Sequence, residues 1–174
     1  MPVRVVVSLC LFVLSLLPAH AKAGECRALV RPLLMQAAPP APELARVQAL
    51  CRAESRDGDP DATYQLAFFL LGLGGVWQPD DALPLIRSAA NRGVSEAQYW
   101  LAWQSEAGPV LPHDDQIALG WYRMAADANH RLALQRLADA WERGELGLPV
   151  DSRKALEFRA RIRRCDEETA LNRN

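Results

Sequence analysis

Apolar residues recur at helical intervals along most of this chain. Ala62, Leu66 and Leu70 fall at i, i+4 and i+8; Ala97 and Leu101 repeat that step, and Ala133, Leu137 and Trp141 repeat it again. Each run predicts a helix with one apolar face. The runs are also copies of one another. Asp61-Ala62-Thr63-Tyr64-Gln65-Leu66-Ala67 returns after 35 residues as Glu96-Ala97-Gln98-Tyr99-Trp100-Leu101-Ala102, and after a further 36 as Leu132-Ala133-Leu134-Gln135-Arg136-Leu137-Ala138. Such a period marks a repeat architecture whose units cannot bury their apolar faces alone and must stack.

A second stretch repeats in the same register. Ala82-Leu83-Pro84-Leu85-Ile86-Arg87-Ser88-Ala89-Ala90 matches Ala118-Leu119-Gly120-Trp121-Tyr122-Arg123-Met124-Ala125-Ala126, and Lys154-Ala155-Leu156-Glu157-Phe158 begins a third copy. Between the two stretches lie Gly72-Leu73-Gly74-Gly75-Val76, Gly108-Pro109-Val110-Leu111-Pro112 and Gly144-Glu145-Leu146-Gly147-Leu148-Pro149, so each unit reads helix, glycine turn, helix. Asp80-Asp81, Asp114-Asp115 and Asp151-Ser152 stand before the second helices, where a carboxylate or hydroxyl caps free N–H groups and complements the helix dipole. Pro84 then falls in a first turn, where proline is tolerated. Gly93 and Asn129 end helices with residues that accept the left-handed conformation. Ala67, Ala102 and Ala138, each beside a leucine, leave room for a partner helix to approach.

Taken in order, Ala97-Gln98-Tyr99, Leu101-Ala102, Gly108, Leu111-Pro112, Asp114, Ala118, Trp121-Tyr122, Arg123 and Ala125-Ala126 resemble the Sel1-like repeat family, a short branch of the tetratricopeptide-like solenoids. The likeness covers residues 61–164, with one good copy and two degraded ones. It implies an all-α fold, a right-handed α-solenoid of helix-turn-helix repeats whose first helices line a concave groove. Two departures stand out. Ser105 occupies a position where the family carries an aromatic residue, and Ile162-Arg163 replaces the Ala-Ala of the earlier units, so Arg161, Arg163 and Arg164 read as a solvated C-terminal cap. Upstream, Glu43 to Arg56 followed by Asp57-Gly58 resembles the second helix of a further unit, with Gly58 four residues before Ala62 as Gly93 is before Ala97. Glu25 to Gln36 would supply its first helix, across an atypical linker at 37–42. The expected organisation is therefore 1–23 signal peptide, 24–60 N-terminal cap or degenerate half-repeat, 61–94, 95–130 and 131–165 repeats, the last with a C-terminal cap, and 166–174 tail.

The residues before the repeats have a different character. Met1 to Arg4 is a short basic start, and Val5 to Leu17 is a thirteen-residue apolar run closed by Pro18, the layout of a secretory signal peptide. Small residues offer cleavage after Ala21 or after Ala23, and the second site leaves Gly24 as the new N-terminus. The run is too short for a bilayer core, which needs about 20 residues, and neither Cys10 nor Cys26 has the surroundings of a lipoprotein cysteine. Loss of Arg4 and Lys22 moves the formal charge from −1 to −3, and neither value suits nucleic acid. Cys26, Cys51 and Cys165 would then enter an oxidising compartment, periplasmic or secreted. Cys26 and Cys51, close in sequence and each on a predicted helix, are expected to pair and leave Cys165 free.

Candidate chemistry is sparse. His113 and His130 are far apart in repeat position, and the sequence has no His-Glu-x-x-His, Cys-x-x-Cys or acidic calcium loop, so neither a metal nor a cofactor is expected. Gly72-Leu73-Gly74-Gly75 follows a predicted helix instead of a strand, which fits a turn and not a phosphate cradle. Asp80, Asp81, Asp114 and Asp115 are better explained as caps than as paired catalytic carboxylates. No serine has a lysine three residues on, the arrangement a β-lactam or cell-wall hydrolase of the penicillin-binding type would need; Ser152 has Lys154 two residues away. Arg153, Lys154, Arg159, Arg161, Arg163 and Arg164 crowd the last helix but are diluted by Glu157, Asp166, Glu167 and Glu168, as on a solvated face.

What remains is surface. Trp100, Trp103 and Gln104 lie at i, i+3 and i+4 on the first helix of the second unit and are the candidate protein-binding residues, since tryptophan concentrates interface energy. Polar equivalents at Gln65 and Arg136 place Trp100 in the groove, whereas Trp103, with Phe68 as its equivalent, fits groove and core equally. The resemblance implies an adaptor or scaffold in a Gram-negative envelope, not an enzyme. Its partner would be another protein: an envelope enzyme, a receptor, a secretion component or, for an immunity protein, a toxin. Neither nucleic-acid binding nor membrane insertion after signal cleavage is expected.

Overall fold

The computed structural model describes residues 24–171, so the signal segment expected at 1–23 lies outside the described residues. Eight helices follow one another: α1 (Glu25–Leu34), α2 (Ala41–Arg56), α3 (Pro60–Leu70), α4 (Pro79–Asn91), α5 (Ser95–Ala107), α6 (Asp115–Asp127), α7 (Arg131–Arg143) and α8 (Ser152–Leu171). They pair as the hairpins α1–α2, α3–α4, α5–α6 and α7–α8, and the second helix of each packs on the first helix of the next. This nearest-neighbour stacking defines an α-solenoid.

The junctions between units share one geometry. Gly58, Gly93 and Asn129 take positive φ, 95°, 93° and 59°. The residue after each donates its N–H back to the carbonyl of Glu54, Ala89 or Ala125, which satisfies a carbonyl that the helix end would otherwise orphan. That same residue begins the next helix as its N-cap. Asp59 accepts from the Ala62 N–H at 3.1 Å and His130 from the Ala133 N–H at 3.3 Å, while Val94 has no polar side-chain atom to offer.

The turns inside the units are also equivalent. Gln78, Asp114 and Asp151 each donate a backbone N–H to a carbonyl near the end of the preceding helix, those of Leu70, Ser105 and Trp141, at 2.7, 2.8 and 2.7 Å. Asp114 and Asp151 also cap as expected: Asp114 accepts from Ile117 N–H at 2.9 Å, Asp151 from Arg153 and Lys154 N–H at 3.0 and 3.1 Å. The first unit differs. Its second helix begins at Pro79, so Asp80 and Asp81 lie inside the first turn and act through the helix dipole alone, and Pro84 sits deeper than a first turn. Elsewhere α2 begins at Ala41, before the expected Glu43, and α8 continues to Leu171 through the residues expected to form a tail.

Burial follows the sequence stripes. Ala62, Ala67, Ala97, Ala102, Ala133 and Ala138 are 0–1% exposed, so helices approach at the close end of the packing range. Three core clusters succeed one another: Val30, Leu33 and Val47 with Phe69 at the N-terminal end, Ile86 and Leu101 in the middle, and Tyr122, Leu134 and Leu137 beyond. Cys26 and Cys51, both fully buried, are joined by a disulfide with Cα atoms 4.9 Å apart, fastening α1 to α2; Cys165, half-buried on α8, is free. Cys51→Ser is expected to lower stability by about 3 kcal/mol, the loop-closure value for a bridge of this span, measured by denaturant unfolding. Thiol titration of the denatured chain from Gly24 onward should find one reactive thiol without reductant and three with it.

Candidate interaction surface

The first helices α1, α3, α5 and α7 form a row tied by side chains. Arg27 of α1 donates to Asp61 of α3 at 3.0 Å and to Glu96 of α5 at 2.5 Å. Burial raises the Asp61 carboxyl above its ordinary range; of its charged neighbours Arg27 opposes the rise, while Glu96 and Asp59 add to it. Farther along, Arg136 of α7 reaches back to Glu106 of α5 through Nε at 2.9 Å, and to Glu145 in the following turn through Nη1 at 2.7 Å.

On this row, α5 gives the three predicted binding residues three different environments. Trp103 is 43% exposed. Trp100 is half-buried, packed against the middle core cluster, so the expected order of the two tryptophans is reversed. Gln104 is buried, and its Oε1 accepts from the Val110 N–H at 3.0 Å; it fastens the turn and offers nothing to a partner. Helical geometry is the reason. Seven residues are close to two turns, so Gln104 lies directly along the helix from buried Ala97, whereas Trp103, six residues on, points away. Gly108 accommodates this arrangement, since a Cβ there would stand 2.0 Å from Gln104 Oε1.

Beside Trp103 lies a network that the sequence did not disclose. Glu106 accepts from the Tyr122 hydroxyl at 2.7 Å and from Arg136, and Tyr99 stacks on His130 with ring centroids 4.7 Å apart. Burial alone would raise the Glu106 carboxyl, but the hydrogen bonds from Arg136 and Tyr122 and the Arg136 charge outweigh it and hold it below the ordinary range. Tyr122 is pushed up by burial first and then by its bond to Glu106, and Arg136 is raised chiefly by its hydrogen bonds to the same carboxylate. Burial lowers His130, in keeping with an Nδ1 lone pair committed to the Ala133 N–H. An open cleft of about 420 Å³ borders the network, between Glu106, His113, Arg136 and Glu145. A second, also about 420 Å³, opens against Leu101, Leu111, Ile117 and Trp121, where Ser105 is smaller than its equivalents Leu70 and Trp141.

The other sequence candidates are dispersed. Asp114 is committed to its cap, and His113 lies 3.6 Å from Asp115 with Nδ1 on the Glu106 carbonyl. No group of three His, Cys, Asp or Glu side chains among the described residues could hold a metal ion. The basic crowd on α8 is partly spent. Lys154 stands 4.0 Å over the Trp141 ring, Arg159 pairs with Glu142, and Arg161, expected in solvent, donates to the Ala126 carbonyl and to Asn129 Oδ1 at 2.6 and 3.0 Å. Arg161 thereby closes the C-terminal end of α6. Trp77, 61% exposed in the turn after α3, is a further surface aromatic that the repeat pattern did not single out.

Stacked helical hairpins whose polar groups are spent on one another, with aromatic side chains left on the surface, define a solenoid of the tetratricopeptide-like class. The family model for the Sel1 repeat matches residues 60–94, 95–130 and 131–158, and the chain belongs to the Sel1 repeat family. It is similar to a Sel1 repeat protein from Oxalobacter formigenes, at 30% identity over 71% of this chain and 92% of that one, with a TM-score of 0.61. It also shares its fold with c5321, described as a protective antigen of uropathogenic Escherichia coli strains displaying an SLR fold; identity is 24%, coverage 81% of this chain and 31% of that one, and the TM-score 0.64. Sel1 repeats in general mediate protein–protein interaction and are typically non-catalytic scaffolds.

Two outcomes follow from the network. Arg136→Leu leaves the Glu106 carboxylate without its cation and is expected to cost about 3 kcal/mol in chemical denaturation. His130 is lowered in the folded state, so the unfolded chain takes up its proton first, and stability falls as the pH drops below about 6.5, the ordinary histidine value. His130→Asn keeps a capping oxygen without that titration, so its drop in melting temperature between pH 7 and pH 5 should be smaller than the wild type's.

Proposed function

We propose that this chain is an exported adaptor of the bacterial cell envelope that holds a partner protein on its row of first helices, with Trp103 as the anchor and Trp100 as its half-buried shoulder. The observation that carries the reading is Trp103 itself. It is a large aromatic side chain left 43% exposed on a helix whose neighbours are fixed by Arg27 and Arg136. An aromatic group held on a rigid element loses little freedom on binding, which is why such residues dominate interface energies. The nearby charges compensate one another, so recognition through apolar and aromatic contact is favoured over charge attraction.

Export is supported by the leader-like N-terminus and by the disulfide, which persists in an oxidising compartment. A photo-crosslinking phenylalanine analogue placed at Trp103 should give a protein adduct of defined mass in intact cells, while the same analogue at exposed Met124 on α6 should not. Trp103→Ala should weaken binding of the adducted protein at least tenfold, a usual loss for an anchor of this kind. Equal crosslinking from both positions, or undiminished binding by the variant, would remove the support for this surface.

A further inference from the structure

Glu54 is the most deeply buried charged side chain of the described residues, 2% exposed on α2. Its carboxylate has two partners: Oε1 accepts from the Cys26 N–H at 3.1 Å, and Oε2 from the Gly24 nitrogen at 3.2 Å. Among the described residues no arginine, lysine or histidine pairs with it; Arg27, on the same short helix α1, is directed to Asp61 and Glu96. Both donors belong to the start of α1, so the carboxylate sits at the positive end of that helix's dipole, but no full positive charge among the described residues reaches it.

A full positive charge is available from the chain itself. Hydrolysis of the Ala23–Gly24 bond adds one water, leaves a carboxylate on Ala23, and gives Gly24 an amine that takes up a proton. The nitrogen that is a neutral amide at 3.2 Å from Glu54 thus becomes an ammonium in the same place.

We infer that Glu54 is a built receptor for the α-ammonium group of Gly24, so that proteolytic processing between Ala23 and Gly24 supplies the counter-ion that completes the N-terminal hairpin. The inference rests on the export reading for its natural setting, but the receptor can be tested apart from it. Cys51 and Glu54 are three residues apart on the same side of α2, facing the start of α1, and the disulfide joins Cys26 to Cys51. The covalent and ionic fastenings therefore close on the same turn of α1. Both belong to the exported state, one needing an oxidising compartment and the other a severed leader.

The test compares four chains: the chain beginning at Gly24, the same chain with one extra alanine before Gly24, and the Glu54→Gln version of each. The extra residue keeps an N–H at Gly24 while moving the ammonium one residue away. The Gly24-terminated wild type should melt higher than its alanine-extended form, and this difference should disappear in the Glu54→Gln background. Because the ammonium is favoured beside a carboxylate, the α-amine should titrate at least one unit above its ordinary range of about 7.7–8.0. The melting advantage should then be full below that range and vanish as the pH rises through the raised value. At pH 7.5, reaction of the amine with an acylating reagent should be at least about fivefold slower in the wild type than in Glu54→Gln, as a one-unit rise implies, a readout that a general packing defect would not give. Equal melting differences in both backgrounds, or an amine reacting equally in both, would overturn the receptor. Intact-mass measurement of the protein recovered from cells tests the export reading separately: a mass beginning at Gly24 supports it, and a retained leader or another first residue sinks the natural role without touching the melting result.

Discussion

Close approach of helix to helix over alanine is the constraint on which the rest of this molecule depends. Ala62, Ala97 and Ala133 on the first helices, and Ala82, Ala89, Ala90, Ala118, Ala125 and Ala126 on the second, are all 0–1% exposed. A short side chain at each contact lets two backbones lie near enough for their larger neighbours, Ile86, Leu101, Tyr122 and Leu137, to interlock around them. Stacking of this kind is nearly additive along the chain, because each hairpin packs its helices on the next, with the Arg27–Glu96 pair a side-chain tie that skips a hairpin. The ends therefore need separate devices. At the N-terminal end these are the disulfide and Glu54; at the C-terminal end Arg161 folds back from α8 to the last turn of α6.

Much of this was legible in the sequence, for a physical reason. Helical period, small residues and helix-ending residues are local properties, so Gly58, Gly93 and Asn129 could be recognised as equivalent from their four-residue distance to Ala62, Ala97 and Ala133. The pairing of Cys26 with Cys51 was readable too, since both lie on adjacent short helices. The surface was less legible. The place of Gln104 could have been read from its seven-residue distance to Ala97, a separation that returns a side chain to the same side of a helix. The contacts of Glu106 with Arg136, 30 residues away, and with Tyr122 could not, because they depend on how two units rotate against each other when packed. Arg161 was misread for the same reason, a long flexible cation whose destination lies in another unit.

The aromatic residues show how one fold separates structure from recognition. Tyr122 and Trp141 lie in the core, Tyr99 stacks between units, and Trp103 stays open on the same helix that carries Tyr99. One turn along the same side of α5 separates a side chain held between units from one left open to solvent. A repeat protein can therefore alter its partner by changing a single face of its first helices while the alanine contacts behind them stay fixed.

The turns within the units carry a different lesson. The same pair of backbone groups is bridged across eight residues in the first unit, nine in the second and ten in the third, from Leu70 to Gln78, Ser105 to Asp114 and Trp141 to Asp151, with the next helix starting one residue later each time. One hydrogen bond thus absorbs differences in loop length before they reach the helices. Outward growth at these corners leaves the stack in register, which makes them the natural places to graft a foreign loop or to gain a new one by insertion in the course of descent.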